Sequence, residues 1–132
     1  MRILIVDDDD SSRRLLEGIL SPYGECVMAE TSGQAIESFR DAYEQNSPFE
    51  LVCLDIMMPD LDGQVALAQM RGIEKAKKIP PNDQSVVIMV TALNSMQTVV
   101  SSFEGGGCNA YLTKPVTKRA LLEKIKKYGL ID

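Results

Sequence analysis

The sequence predicts an α/β fold: a doubly wound, five-stranded parallel sheet with helices on both faces. Three observations predict it. Five short apolar runs recur along the 132 residues, each followed by a helix-like pattern, and strand–helix alternation is how parallel sheets are wound. The leading run, Ile3-Leu4-Ile5-Val6, is continuous rather than alternating, as expected of a strand buried on both faces. Finally, polar residues able to do chemistry stand where the runs end, and in open α/β sheets that edge holds the ligand site.

The elements follow in order. After the first run, Leu15, Leu16, Ile19 and Leu20 repeat at helical spacing, with Asp10, Ser11 or Ser12 available as N-cap. Ser21-Pro22-Tyr23-Gly24 stops that helix. Cys26 to Ala29 reads as the second strand, and Thr31-Ser32-Gly33 leads into a helix carrying Ala35, Ile36, Phe39 and Tyr43. Asn46-Ser47-Pro48 breaks it. Leu51 to Leu54 is the third strand, ending at Asp55, and Pro59 to Gly63 is a loop. Val65, Ala66, Leu67 and Met70 mark the next helix, and Ile79 to Gln84, with Pro80-Pro81, is a surface connection. Val86 to Val90 is the fourth strand, ending at Thr91. A helix of poor intrinsic propensity is expected around Met96 to Phe103, rich in β-branched and Ser residues and ended by Gly105-Gly106-Gly107. Ala110-Tyr111-Leu112 is a short fifth strand, Lys114-Pro115 a turn, and Ala120, Leu121, Leu122 and Ile125 mark the last helix.

Composition narrows the function. An apolar share of 45% and a charged share of 25% are those of an ordinary globular protein. The size suits one domain with its own core, so residues 1–132 are expected to form a single domain. No apolar run approaches the roughly 18 residues of a membrane helix. Only four apolar residues follow Arg2 before four acids, Asp7 to Asp10, which is wrong for a secretory signal. A cytoplasmic protein without membrane contact is expected. Cys26, Cys53 and Cys108 show no metal-ligand spacing, and Cys26 and Cys53 read as small core residues. The chain has no histidine, which removes Ser-His and Cys-His nucleophile pairs and the usual neutral-pH base. A net charge of −5 argues against direct nucleic-acid binding. The basic residues gather at Arg71 to Lys78 and along the last helix, and read as solvated helix faces.

The strand ends carry the chemistry. Asp7 and Asp8 follow the first strand, Asp55 the third, Thr91 the fourth and Lys114 the fifth. Singly, each has a plain structural reading: acids opening a helix, a turn aspartate, an N-cap threonine, a solvated lysine. Together they make a phosphoryl-transfer set. Two like charges about 4 Å apart repel by roughly 4 kcal/mol at an effective dielectric near 20, so three clustered carboxylates need an offset beyond one lysine. Mg²⁺, which prefers oxygen ligands, supplies it. A carboxylate can be the nucleophile, and a lysine and a hydroxyl can stabilise charge on the transferring group.

These residues resemble the receiver domain of bacterial response regulators over the whole chain. The resemblance is carried by Ile3-Leu4-Ile5-Val6-Asp7-Asp8-Asp9, by Leu54-Asp55-Ile56-Met57-Met58-Pro59-Asp60-Leu61-Asp62-Gly63, by Val90-Thr91-Ala92, and by Tyr111-Leu112-Thr113-Lys114-Pro115. It implies strand order 2-1-3-4-5 in a flavodoxin-like three-layer sandwich, and a single receiver domain with no output domain. It implies Asp55 as phosphoacceptor and Mg²⁺ (or Mn²⁺) held by Asp8 directly, by Asp7 partly through water, by Asp55 and by the Met57 backbone carbonyl, with Asp9 an alternative ligand. Lys114 would contact the phosphoryl group and its bond to Pro115 would be cis. Thr91 would move toward a phosphoryl oxygen and Tyr111 turn inward, altering the surface of the fourth helix, fifth strand and last helix. The apolar residues at Met57 and Leu93 predict slow loss of the phosphoryl group to water.

The implied partners are a histidine kinase or histidine phosphotransfer protein, docking near Arg13, Arg14, Leu16 and Ile19, and a downstream protein target. A monomer and a dimer formed on phosphorylation both fit. Such a domain assists its own phosphorylation and dephosphorylation without being an enzyme in the usual sense. A phosphatase of the haloacid-dehalogenase kind would want a second Asp where Met57 stands. A flavodoxin-like cofactor module would want a Ser/Thr/Gly-rich loop where Asp7 to Asp10 stand. A receiver-shaped interaction module that is never phosphorylated would lack the acceptor, the acid pair or the lysine.

Overall fold

The computed structural model describes residues 1–92 and 107–132. The helix expected around Met96 to Phe103, Leu93, and the first two glycines of the 105–107 run lie outside the described residues. Five parallel strands form one sheet in the order β2-β1-β3-β4-β5: β1 (Arg2–Val6), β2 (Glu25–Ala29), β3 (Leu51–Asp55), β4 (Val86–Thr91) and β5 (Ala110–Thr113). Helices α1 (Asp10–Leu20), α2 (Ser32–Glu44), α3 (Gly63–Ala76) and α4 (Lys118–Lys127) cover it.

Side chains alternate across a strand, and the apolar runs therefore feed two cores. Ile3, Ile5, Leu51, Cys53, Ile88 and Val90 pack with Leu16, Ile19 and Leu20 of α1 and Leu121 and Ile125 of α4. Leu4, Val6, Val52, Leu54, Val87 and Met89 pack with Ala35, Ile36 and Phe39 of α2 and Ala66, Leu67 and Met70 of α3. Three layers result, with α1 and α4 on one face and α2 and α3 on the other. The continuous apolar strands are explained: every position in β3 is buried.

Local capping differs from the sequence reading at α1. The cap is Asp9, whose carboxylate accepts from the Ser12 N–H at 3.0 Å and the Ser12 hydroxyl at 2.9 Å. Asp10 is the first helical residue, suited to the dipole. Leu15 and Val65, both at helical spacing, are 48% and 43% exposed. Cys53 is wholly buried, whereas Cys26 is only partly so.

The basic stretch from Arg71 is not simply a solvated face. Arg71 donates to Glu74 Oε1 at 2.7 Å, to the Ser85 carbonyl at 2.8 Å, to the Gly107 carbonyl at 3.0 and 2.8 Å, and to Asn109 Oδ1 at 2.9 Å. Glu74 is fully buried, and its other oxygen accepts from the Ser85 N–H at 2.7 Å and Tyr43 hydroxyl at 3.3 Å. Asn109 also receives the Val87 N–H at 2.8 Å on its side chain, and the Tyr128 hydroxyl on its carbonyl. The start of β5 is thus tied to both helical layers.

Candidate functional site

The parallel register decides which residues meet at the carboxyl edge. Val6 pairs with Leu54, Asp55 with Val90, and Thr91 with Thr113. The residues just beyond, Asp7, Asp8 and Lys114, therefore emerge beside Asp55. One carboxylate oxygen from each of Asp7, Asp8 and Asp55 lies within 4.8 Å of the others. Lys114 Nζ reaches Asp7 Oδ2 at 3.0 Å and Asp55 Oδ2 at 3.1 Å. Asp7 and Asp55 are 0% and 4% exposed, while Asp8 faces solvent.

Each buried carboxylate is aimed by a second bond. Asp7 Oδ1 accepts the Asp9 N–H at 2.9 Å, and Asp55 Oδ1 accepts the Met57 N–H at 3.0 Å. Burial pushes the Asp55 carboxyl above its ordinary range; the Met57 N–H pulls it down, the Asp7 charge pushes it up again, and Lys114 opposes both rises. For Lys114, burial alone would lower the ammonium, but the bonds to Asp7 and Asp55 raise it overall. A lysine so placed is a cation between two carboxylates that would otherwise repel.

The four consecutive acids have four situations. Asp7 is the buried acid bound to Lys114, and Asp8 the exposed member of the cluster. Asp9 caps α1, and its own carboxyl is lowered, chiefly by the Ser12 hydroxyl. Asp10 binds Arg13 at 3.0 Å and Arg14 at 2.9 Å. Asp9 lies outside the cluster of three, and its Oδ2 serves the helix.

Thr91 is wholly buried at the end of β4, and its hydroxyl donates to the Ala92 carbonyl at 3.1 Å. Its own carbonyl accepts the Lys114 N–H at 2.8 Å, which fixes the lysine beside it. Tyr111 is half-buried against the α2–α3 core. The Lys114–Pro115 peptide is cis. The Met57 side chain is 63% exposed.

Around Asp55 the loop to α3 folds back on itself. The Gly63 N–H bonds the Ile56 carbonyl at 2.9 Å. A Cβ on Gly63 would stand 2.7 Å from the Asp55 carbonyl oxygen and from Ile56 Cα, so only glycine fits. At the loop's tip Asp60 accepts the Ser32 and Gly33 N–H groups, each at 3.0 Å. The Gly33 N–H is the main reason its carboxyl lies below the ordinary range, with desolvation opposing and the Ser32 N–H adding.

Of the residues expected to meet a phosphodonor, Arg13, Leu16 and Ile19 are buried. Arg13 bonds the Asp7 carbonyl at 2.7 Å. Arg14 is exposed, and so is Leu15, which was not among the expected residues. Leu15 and Leu16, with Ser12, Val90, Pro115 and Val116, line a cavity of about 340 Å³ that reaches Asp7 and Lys114. Nothing in the sequence pattern distinguishes Leu15 from its buried neighbours.

The donor set is all oxygen, with one acid open to water. That fits a hard divalent cation retaining solvent ligands.

The family model described as "Response regulator receiver domain" matches residues 3–126. The chain belongs to this receiver family. The receiver is 34% identical over 128 residues to the chemotaxis protein CheY of Bacillus subtilis, covering 96% of this chain and 95% of that one. It spans 46% of the length of the transcriptional regulatory protein SrrA of Staphylococcus aureus, at 33% identity over 124 residues. Among solved structures it resembles a CheY-like response regulator receiver domain protein from Methanospirillum hungatei, with TM-score 0.74 and 38% identity, covering 98% of this chain and 92% of the other. A chain of the co-crystal of the Saccharomyces cerevisiae histidine phosphotransfer signaling protein Ypd1 with the receiver domain of its downstream response regulator Ssk1 matches with TM-score 0.79 and 28% identity, at 98% and 88% coverage. The receiver is therefore a two-component signalling domain rather than a conventional enzyme. Its 2-1-3-4-5 sheet is the order that the resemblance implied. No described helix is long and apolar enough to cross a membrane.

Proposed function

We propose that this receiver takes a phosphoryl group on Asp55 from a phosphohistidine, with Mg²⁺ or Mn²⁺ bound at the acid cluster. The observation that carries the reading is Lys114 Nζ lying between Asp7 and Asp55 in a cluster of three carboxylates. An Asp55 oxygen forms the bond to phosphorus as the P–N bond to the donor imidazole breaks. Lys114 is placed to leave its carboxylate partners and follow the charge onto the phosphoryl oxygens. Asp7, Asp8, Asp55 and the Met57 carbonyl would hold the cation, which offsets charge on the phosphoryl group when bound.

Thr91 and Tyr111 are the residues through which the new charge is passed on. The Thr91 hydroxyl exchanges its Ala92 carbonyl for a phosphoryl oxygen, Tyr111 turns inward, and the surface of β5 and α4 changes for a downstream protein. The donor is a histidine kinase or a histidine phosphotransfer protein, a partner class supported by the Ypd1–Ssk1 co-crystal. Arg14 and Leu15 sit on the exposed side of α1 where it would dock. We place the protein in the cytoplasm, and we read the apolar Met57 side chain as unable to position a hydrolytic water, so that the phosphorylated form decays slowly.

The test is intact-protein mass after incubation with acetyl phosphate, with and without Mg²⁺, for wild type and Asp55→Asn. One phosphoryl adduct that needs both Mg²⁺ and Asp55 is expected. No adduct on folded wild-type protein would favour an interaction module that is never phosphorylated.

A further inference from the structure

The loop between Asp55 and Gly63 is tied at three places. Its first residues are held by the Met57 N–H on Asp55 Oδ1, and its last by the Gly63 N–H on the Ile56 carbonyl. The third tie lies at the tip and reaches another helix. Asp60 places one oxygen 3.0 Å from the Ser32 N–H and the other 3.0 Å from the Gly33 N–H, the opening residues of α2. Ser32 answers with its hydroxyl, which donates to the Leu61 carbonyl at 2.8 Å. Ser32 is itself wholly buried.

The position of Asp60 is unusual in what it does not serve. It does not cap its own helix, because Asp62 caps α3 through the Gln64 N–H at 2.7 Å. Nor is it needed to cap α2, because Thr31 does so through the Gln34 N–H at 3.1 Å. A carboxylate accepting two N–H groups at the positive end of a helix makes charge-assisted bonds. These bonds fasten the loop whose Met57 carbonyl is assigned to the cation under Proposed function.

We infer that Asp60 is a positioning residue for the metal site, fixing the Met57 segment by clamping the loop tip to the first turn of α2. The inference rests on that reading of the site. Groups that orient metal ligands commonly carry about tenfold or more of the affinity.

The experiment compares wild type, Asp60→Ala, Asp60→Asn and Thr31→Ala in three readouts: Mg²⁺ binding by calorimetry, the Mg²⁺ concentration giving half-maximal labelling by acetyl phosphate, and thermal unfolding without metal. Asp60→Ala should weaken Mg²⁺ binding and raise the half-maximal concentration, each by about tenfold. Asp60→Asn keeps one acceptor and turns an NH₂ toward the other N–H, so it should fall between the two. Thr31→Ala strips the α2 cap without touching the loop; it should lower the unfolding temperature and leave Mg²⁺ binding unchanged. Equal Mg²⁺ affinity in Asp60→Ala and wild type would overturn the inference alone, as would an equal loss in Thr31→Ala. Wild type that binds no Mg²⁺ would overturn the metal-site reading and this inference with it.

Discussion

Arg71 closes off the wholly buried carboxylate of Glu74, with Nη1 2.7 Å from Oε1. Removing one member of a buried pair strands the other charge. Arg71→Met should therefore cost about 3–5 kcal/mol in urea unfolding. Adding Glu74→Gln to it should recover part of that loss. A single change as mild as an ordinary surface substitution, about 0.5 kcal/mol, would show that the network is not held by this pair.

Asp55 should be a burden on the metal-free fold. Its carboxyl lies above the ordinary value of 3.8, chiefly through burial, so the folded state binds its proton more tightly than the unfolded state does. Stability then falls as pH rises from 3.8 through the higher folded value, and the deficit is complete above it. Asp55→Asn should raise the urea midpoint in EDTA at neutral pH, with the gain shrinking toward pH 3.8. Mg²⁺ should stabilise wild type and leave the variant nearly unmoved. An Asp55→Asn protein less stable than wild type in EDTA would contradict the sign.

Two glycines of α3 should respond to alanine in opposite directions. Gly63→Ala drives a methyl into the Asp55 carbonyl and Ile56 Cα, backbone that cannot step aside. A loss of about 1–3 kcal/mol is expected. Gly72 is exposed with nothing within 4 Å of an added Cβ, and Gly72→Ala should gain about 0.5–1 kcal/mol. Unfolding curves of both variants decide it, and a shared sign would refute the packing at Gly63.

The three thiols should react in sequence. Burial pushes the Cys53 thiol up to about 12, with Cys26 acting in the same direction. Cys26 is raised by burial and the Glu17 charge, and Cys108 by burial against an opposing Arg71. Only the thiolate is reactive. With iodoacetamide, peptide mapping should find Cys26 alkylated first, Cys108 later, and Cys53 only in denaturant. Early labelling of Cys53 would mean that the sheet core opens readily.

The sheet and the strand-end residues were legible in the sequence because burial on both faces leaves continuous apolar runs, and a parallel sheet brings the residues after those runs to one edge. What stayed hidden depends on pairing across the chain. Arg71 looked like one of several solvated bases because Ser85, Gly107 and Asn109 are remote in sequence. Asp60 was only one residue of the Pro59 to Gly63 loop because its partners lie 27 and 28 positions away. The cap of α1 fell one residue before the expected candidates, since any of the neighbouring acids and serines can cap and only the backbone angle of Asp9 decides. Leu15 and Leu16 are alike in composition, and the helix's exact facing, which spacing does not fix, exposes one and buries the other.

Asn109 is held from one side by Arg71 and from the other by Tyr128, and its backbone and side chain both grip Val87. Four residues of strand separate it from Lys114. β5 is therefore pinned at its root and carries its charge at the other end, where the Thr91 carbonyl holds the Lys114 N–H. A change of charge at Asp55 should be felt first at Lys114, while Asn109 keeps the root of β5 in register with β4.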